Sequence, residues 1–346
     1  MKQGKRSVTI TDIARELSIS PSTVSRALNN HPAIKEETKR KVITLANKLN
    51  YQPNLLALNL LNKKTNNIGV VVPEITSHFF AAIISGIQDI LNASGYNIIM
   101  CQSNESYREE IKIIENLSSV RVDGFLIAPS SKTRKLDHFV KLKNSGVPIV
   151  IFDRDCQGLD VDKVLLDDYD GAFQAVDYLV KSGCKKVAHL GGSLSLSTSI
   201  HRRQGYIDAL KSNNLSVRDD HIFHTKGFKH SDGIRAAKSL LKLKDPPDAI
   251  FAVNDRIAIA AMYVAKMYGF KIPEDISIIG FDDEPHSSYF TPSLSTVRQP
   301  AYSIGLLSAR ILLQNLSNPH DSPGFRREIF RPELIIRDSS RLRPDT

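Results

Sequence analysis

The sequence predicts an all-α helix-turn-helix head followed by an α/β body of two doubly wound parallel-sheet lobes. Three observations predict it. Positive charge is concentrated in the first fifth of the chain, three short amphipathic helices fit that stretch, and from Ile68 onward short apolar runs alternate with amphipathic segments. With 346 residues, 41% hydrophobic and 24% charged, the chain is long and apolar enough for two or three folded units.

The net charge of +9 is unevenly divided: residues 1–67 hold 12 Lys and Arg against 4 Asp and Glu, which leaves 34 against 33 for residues 68–346. A basic head on a near-neutral body favours a polyanionic partner, nucleic acid above all. The basic start is followed by no apolar run, and no segment offers the roughly 18 consecutive apolar residues of a membrane span. We therefore expect a cytoplasmic protein with no secretion signal and no membrane partner. Cys101, Cys156 and Cys184 lie far apart in apolar surroundings without C-x-x-C spacing, as ordinary buried thiols of a reducing compartment do.

In the head, Thr9 to Leu17 places Ile10, Ile13, Ala14 and Leu17 at helical spacing, with Thr9 as N-cap and Asp12 at N3. A second helix begins after Ser20, a further N-cap, with Pro21 at N1 and Val24, Ala27 and Leu28 on one face. The third runs from Lys35 to Leu49, turning Val42, Leu45, Ala46 and Leu49 inward and Lys39, Arg40, Lys41 and Lys48 outward. In a helix-turn-helix the second helix enters the major groove N-terminus first. Pro21, Ser22 and Arg26 are the expected base readers, Arg26 as a bidentate donor to guanine. Thr23, Ser25 and Asn29 suit phosphate oxygens.

The run from Val8 to Asn54 resembles the head of the lactose/galactose repressor family of bacterial transcription regulators. It carries T-x-x-D-I-A from Thr9, S-x-x-T-V-S-R-x-L-N from Ser20, T-x-x-K-V from Thr38 and L-x-Y-x-P-N from Leu49. The family's turn usually has Gly where this chain has Ser18. The resemblance implies that Thr9, Tyr51 and Asn54 also meet DNA. It implies that residues 53–67, PNLLALNLLNKKTNN, form a hinge helix that folds on DNA beside its dimer mate. There Leu60 would wedge into the minor groove and Ala57 make the close helix contact. The common A-R-S-L is Ala57-Leu58-Asn59-Leu60 here, without the basic residue.

In the body, IGVVVP, NIIMCQ, GFLIAP and PIVIFD form a first set of buried strands, and KVAHLGG, DAIFAVN and SIIGFDD a second set after Asp167. Ligands of such sheets bind beyond the carboxyl ends of the strands. There the sequence places Pro73-Glu74, Gln102-Ser103-Asn104, Asp153-Arg154, Gly191-Gly192-Ser193, Asn254-Asp255 and Asp282-Asp283. We expect these tails to converge on one cleft. The family's effector-binding body resembles periplasmic sugar-binding proteins, and it is matched by F-D-R at Phe152, R-x-x-G-Y at Arg202, V-N-D at Val253 and G-F-D-D at Gly280. The resemblance implies that Asp153, Arg202, Asn254 and Asp282 hydrogen-bond an effector, with Phe79 and Phe80 as its aromatic wall.

Alternatives stay open at three positions: Asp255 as helix cap or ligand, Phe79 and Phe80 as core or cleft. Arg202 has no evident acidic partner in sequence. His189 reads as a satisfied buried histidine.

No nucleophile elbow, metal-spaced histidine pair or phosphate-cradling glycine motif is present, so we expect no enzyme, no metal and no cofactor. The domains expected are 1–52 for the head, 53–67 for the hinge, 68–340 for the body and 341–346 as a tail. The expected partners are pseudo-palindromic operator DNA, a small molecule that the resemblance makes a carbohydrate, and a second copy of the chain. The helix at 300–317 should cross back to the first lobe. A homodimer is expected, because the chain ends in RDSSRLRPDT where the family's tetramers carry a leucine-heptad tail.

Overall fold

The computed structural model describes residues 8–51, 64–318 and 324–341. It divides into two compact units, Met1–Thr65 and Asn66–Thr346. Asn54, Ala57 and Leu60 lie outside the described residues.

The described residues of the first unit hold three helices, α1 (Ile10–Glu16), α2 (Pro21–Leu28) and α3 (Glu36–Lys48). Their boundaries follow from local chemistry. The Thr9 hydroxyl and amide both donate to Asp12 Oδ2, at 2.7 and 2.9 Å, closing the capping box of α1. Ser20 Oγ accepts the Thr23 amide at 3.1 Å, and Pro21 occupies N1 of α2. Ile13, Ala14, Val24, Ala27, Val42, Leu45 and Ala46 form the small core. Ser18, in the turn between α1 and α2, has φ +53°, the left-handed conformation that explains the family's preference for Gly there. Lys39 is buried rather than outward, its ammonium 2.7 Å from Glu36 Oε1. Its long stem covers apolar surface while the charge stays paired.

The second unit contains two six-stranded sheets. Lobe 1 is built on β1 (Asn67–Val72), β2 (Asn97–Gln102), β3 (Gly124–Ile127), β4 (Ile149–Phe152), β5 (Asp162–Leu166) and β11 (Arg327–Phe330), in the order β11-β5-β4-β3-β1-β2 and parallel throughout. Helices α4 (His78–Ala93), α5 (Tyr107–Ser119), α6 (Asp137–Asn144) and, from much later in the chain, α11 (Ala301–Ser317) belong to it. Lobe 2 is built on β6 (Val187–Gly191), β7 (Ile222–His224), β8 (Ala249–Ala252), β9 (Ser277–Asp282), β10 (Ser295–Arg298) and β12 (Glu333–Ile335), in the order β12-β10-β9-β8-β6-β7, with β12 alone antiparallel to its neighbour. Its helices are α7 (Asp168–Lys181), α8 (Ser197–Ser212), α9 (His230–Leu241) and α10 (Asp255–Met267).

All seven expected strands form. β5, β7, β10, β11 and β12 were not anticipated, because edge and crossover strands such as Ser295–Arg298 and Arg327–Phe330 are short and half polar and lack the apolar run that marks a buried strand. The chain crosses between lobes three times, after β5, after β10 and after β11. The return of α11 to lobe 1 is as expected: Ile304, Ile311 and Leu312 join the lobe 1 core, with Leu307 packed against it. Two glycines let α11 lie almost on α4, since a Cβ on Gly86 would meet Tyr302 O at 2.2 Å and one on Gly305 would meet Ile83 O at 2.1 Å.

Two boundaries differ from expectation. Asn67, placed in the hinge, is the first residue of β1 and pairs with Asn97. Arg341, placed in the tail, is held to the body by its amide on Ser277 Oγ and its guanidinium on the Pro273 and Glu274 carbonyls. Cys156 and Cys184 are buried free thiols, whereas Cys101 is only half-buried. Burial raises all three thiols, Cys156 to about 12. No helix among the described residues is long and apolar enough to cross a membrane.

Candidate functional site

The DNA-reading residues expected on α2 lie on one side of the head. Pro21, Ser22, Arg26 and Asn29 are exposed, and Thr23 and Ser25 are half-buried. The Ser22 and Thr23 hydroxyls lie 2.7 and 2.8 Å from Ser20 Oγ, so both are held locally at the start of the helix. Thr9 spends its hydroxyl on Asp12, and Tyr51 is packed against the head core with its hydroxyl raised by burial.

The second candidate site lies between the two lobes of the body. Lobe 1 contributes Glu74, Ser77, Phe79, Phe80, Glu105, Asp153 and Arg154; lobe 2 contributes Thr198, Arg202, Phe228, Asn254, Arg256 and Asp282; Gln299 comes from the crossover after β10. All six expected effector residues are brought together here. Several expected strand-end tails are not among the lining residues: Gln102-Ser103-Asn104 is replaced by Glu105, and Gly191-Gly192-Ser193, Asp255 and Asp283 lie elsewhere.

Arg202 is the anchor of lobe 2. Its Nε donates to Asp168 Oδ1 at 2.7 Å and its Nη1 to Val253 O at 2.6 Å, while the guanidinium lies over the Phe281 ring at 3.6 Å. It therefore has a buried acidic partner that sequence spacing did not reveal, because Asp168 is 34 residues away on α7. Asp282 Oδ1 lies 4.0 Å from Arg202 Nη1 and accepts from Gln299 Nε2 at 2.6 Å. Burial pushes Asp282 well above the usual carboxylate range, with the Arg202 charge opposing it only in part.

In lobe 1, burial likewise pushes Asp153 up to about 6 against the pull of Arg154. Arg154 is held by Glu105 in a bidentate pair at 2.8 and 2.9 Å and by Pro129 O at 2.8 Å. Burial works against the Glu105 charge, but Arg154 and the Ser131 amide outweigh it and keep that carboxyl below its usual range. Asp153 and Asp282 adopt positive φ, +66° and +118°. Each such conformation costs ~1–3 kcal/mol in a residue other than Gly and is typical of positions shaped for binding.

The open alternatives resolve structurally. Asn254, not Asp255, caps α10, its Oδ1 accepting the Ile257 amide at 3.0 Å. Asp255 is fully buried and accepts from Glu284 N, Ser287 Oγ and Thr296 Oγ1, which ties α10 to the segment after β9. Burial raises it to about 7. Phe79 and Phe80 are both core and cleft: each is 6% exposed, they meet edge to face with centroids 5.2 Å apart, and both line the cavity. His189 is only half satisfied, since Nδ1 meets Phe251 O at 3.0 Å while Nε2 has no hydrogen-bond partner among the described residues; burial lowers it to about 3.

Sequence reasoning missed Glu105, Thr198, Phe228, Arg256 and Gln299. Phe228, an isolated aromatic within the polar run HTKGFKHSD, was a legible signal for a second aromatic wall. Glu105 lies in a loop, Gln299 in the crossover after β10, and Thr198 and Arg256 in the first turns of α8 and α10. What the arrangement offers is a set of hydrogen-bonding acceptors and donors between aromatic walls, the recognition chemistry of a small polar molecule.

Both parts of the chain match known families. Residues 9–54 match the family described as bacterial regulatory proteins, lacI family. Residues 65–329 match periplasmic binding proteins and the sugar binding domain of the LacI family. The chain is 36% identical over 339 residues to the probable HTH-type transcriptional repressor ExuR of Bacillus subtilis (strain 168), covering 96% of this chain and 98% of that protein. Among solved structures it resembles the lac repressor dimer bound to operator and the anti-inducer ONPF, with TM-score 0.86 and 25% identity over 97% of this chain and all of that one. It also resembles a complex of the transcriptional regulator CelR with cellobiose, with TM-score 0.73 and 25% identity over 96% of this chain and all of the other. With a helix-turn-helix head, a two-lobed effector-binding body and these relatives, the chain belongs to the LacI family of bacterial transcription regulators.

Proposed function

We propose that this regulator reads a pseudo-palindromic operator as a homodimer in the cytoplasm and that a neutral, polyhydroxylated small molecule, a sugar, sets its operator affinity through the cleft. The observation that carries the effector reading is the meeting of Asp153, Arg202, Asn254 and Asp282 with Phe79, Phe80 and Phe228 between the lobes. Hydroxyls can donate to Asp153 and Asp282 and accept from Arg202, and the rings can stack on the apolar face of a sugar ring. Each of the three guanidiniums lining the cleft already has its own carboxylate: Arg154 with Glu105, Arg202 with Asp168, Arg256 with Glu74. That pairing favours an uncharged ligand over a phosphorylated one. The CelR relative holds cellobiose, which agrees.

On DNA, Pro21, Ser22 and Arg26 meet base edges and Thr23, Ser25 and Asn29 meet phosphates, with Thr9, Tyr51, Asn54, Ala57 and Leu60 completing the contact as the resemblance implies. Effector binding favours one angle between the lobes, and that angle sets whether residues 53–67 of the two chains can fold on the duplex. The coupling is reciprocal, so operator must change effector affinity by the same factor.

The test is selection of duplexes from a random pool at fixed salt, since phosphate contacts make affinity steeply salt-dependent. A palindrome should emerge, and Arg26→Ala should relax one position in each half-site at a cost of ~1–3 kcal/mol. Calorimetry of the full chain against neutral sugars, sugar phosphates and purines, repeated with Asp282→Asn, then tests the cleft. Absence of any enriched sequence would refute the operator reading. Binding of a phosphorylated sugar or purine in preference to every neutral sugar would refute the effector reading.

A further inference from the structure

The lobes approach so closely that the cleft leaves about 60 Å³ of free interior, well below the ~300–1,000 Å³ of small-molecule pockets. The lobes are bridged by two of its lining residues. Arg256, in the first turn of α10 on lobe 2, donates from Nη1 to Glu74 Oε1 at 2.5 Å and from Nη2 to Thr76 O at 2.8 Å. Both acceptors lie on the segment that leaves β1 in lobe 1. On its own lobe Arg256 is steadied by Glu284, with Nε 3.4 Å from Oε1, and Glu74 accepts the Thr76 hydroxyl on its side. The pair is partly screened from water, with side-chain exposures of 22% and 28%.

Two further contacts between the lobes are neutral. The Asp155 amide donates to Ser197 Oγ at 3.0 Å, and Ser195 Oγ donates to Ser131 O at 2.7 Å. The charged, two-pronged contact therefore lies among the residues that line the cleft, whereas none of the four residues in the neutral contacts lines it. A guanidinium fork held between a carboxylate and a carbonyl of the opposite lobe fixes both distance and orientation.

We propose that Arg256 and Glu74 form a latch that holds the cleft shut without an effector, so that a ligand is admitted only when this pair parts. The latch sets how often the unliganded regulator opens, and hence how much effector is needed to shift it. Without it the open form is more populated, the amide of Asp155 loses Ser197 more often, and exchange at that amide quickens.

The test is hydrogen exchange of the effector-free full chain for wild type, Arg256→Ala, Glu74→Ala and the double variant. Each single change should quicken exchange at Asp155 about three- to fivefold, the range of a partly exposed ion pair. The double variant should be no faster than Arg256→Ala alone, because that change already removes both prongs of the contact, whereas Glu74→Ala leaves the bond to Thr76 O. The Ala258 amide, bonded to Asn254 O within α10, should exchange at the wild-type rate in all four. The latch is overturned by wild-type exchange at Asp155 in either single variant, or by multiplying effects in the double. Acceleration at Ala258 in step with Asp155 overturns it as well, since that would show a loosened helix.

Discussion

Arg202 shows how much one side chain can be asked to do. It neutralises Asp168, fixes the Val253 carbonyl, lies over Phe281 and still faces the cleft beside Asp282. Removing one partner of a buried pair leaves the other charge stranded, so Arg202→Ala should cost ~3–5 kcal/mol of stability, measurable by denaturant unfolding, and should abolish effector binding under conditions where the variant remains folded.

The buried carboxyls make a separate prediction. Burial holds Asp153 at about 6 and Asp255 at about 7, whereas the unfolded chain releases these protons near ~4. The folded state therefore binds more protons across that interval, and their contribution to stability is full at acid pH and is lost as pH rises through about 6 and about 7. Asp255→Asn should flatten the fall in unfolding midpoint between about pH 4 and about pH 7. An unchanged slope would show that Asp255 is ionised in the fold. His189 and Asp255 also mark the reach of sequence reading: both positions were singled out, but what each side chain meets depends on strands and loops brought in from elsewhere.

The helices of the head were almost fully legible because their signals are local. Thr9 with Asp12, and Ser20 with Pro21, are separated by three residues or fewer, and the structure places the helix starts where those caps put them. The misplacement of Lys39 has a different origin: residue type argued for solvent, and tertiary packing covered it. At Ser18, φ +53° is strained for a residue with a Cβ, so Ser18→Gly should raise the thermal midpoint of the head, by ~0.5–1 kcal/mol in stability. The crossing of α4 and α11 behaves oppositely. Gly86→Ala would place a methyl 2.2 Å from Tyr302 O, and separating the helices should cost at least ~1–3 kcal/mol, read as a lowered midpoint of the body with the head transition unchanged.

The body is two six-stranded sheets sharing one chain through three crossovers, and its cleft exists only because both lobes contribute to it. A regulator of this design should bind two half-sites one helical turn apart, ~34 Å, as a symmetric pair. Light scattering of the free protein should therefore give twice the mass of one chain, and a tetramer would contradict the dimer. At this scale the sequence was less informative. The alternation of apolar runs revealed two lobes, but nothing in Arg327–Phe330 or Glu333–Ile335 announced that adjacent short strands join different sheets.

The sequence was sufficient for the helix starts, the buried strands, the basic head and the positions of Asp153, Arg202, Asn254 and Asp282, because each rests on spacing within a few residues or on a contiguous motif. The partners of those residues were settled by the fold: Asp168 for Arg202, Glu105 for Arg154, Gln299 for Asp282 and Glu74 for Arg256. The reason is physical. A cap or an amphipathic stripe is a property of neighbouring residues, whereas a desolvated charge is tolerated only where tertiary packing delivers its counter-charge, and such charge pairs here span 34 to 182 residues of chain.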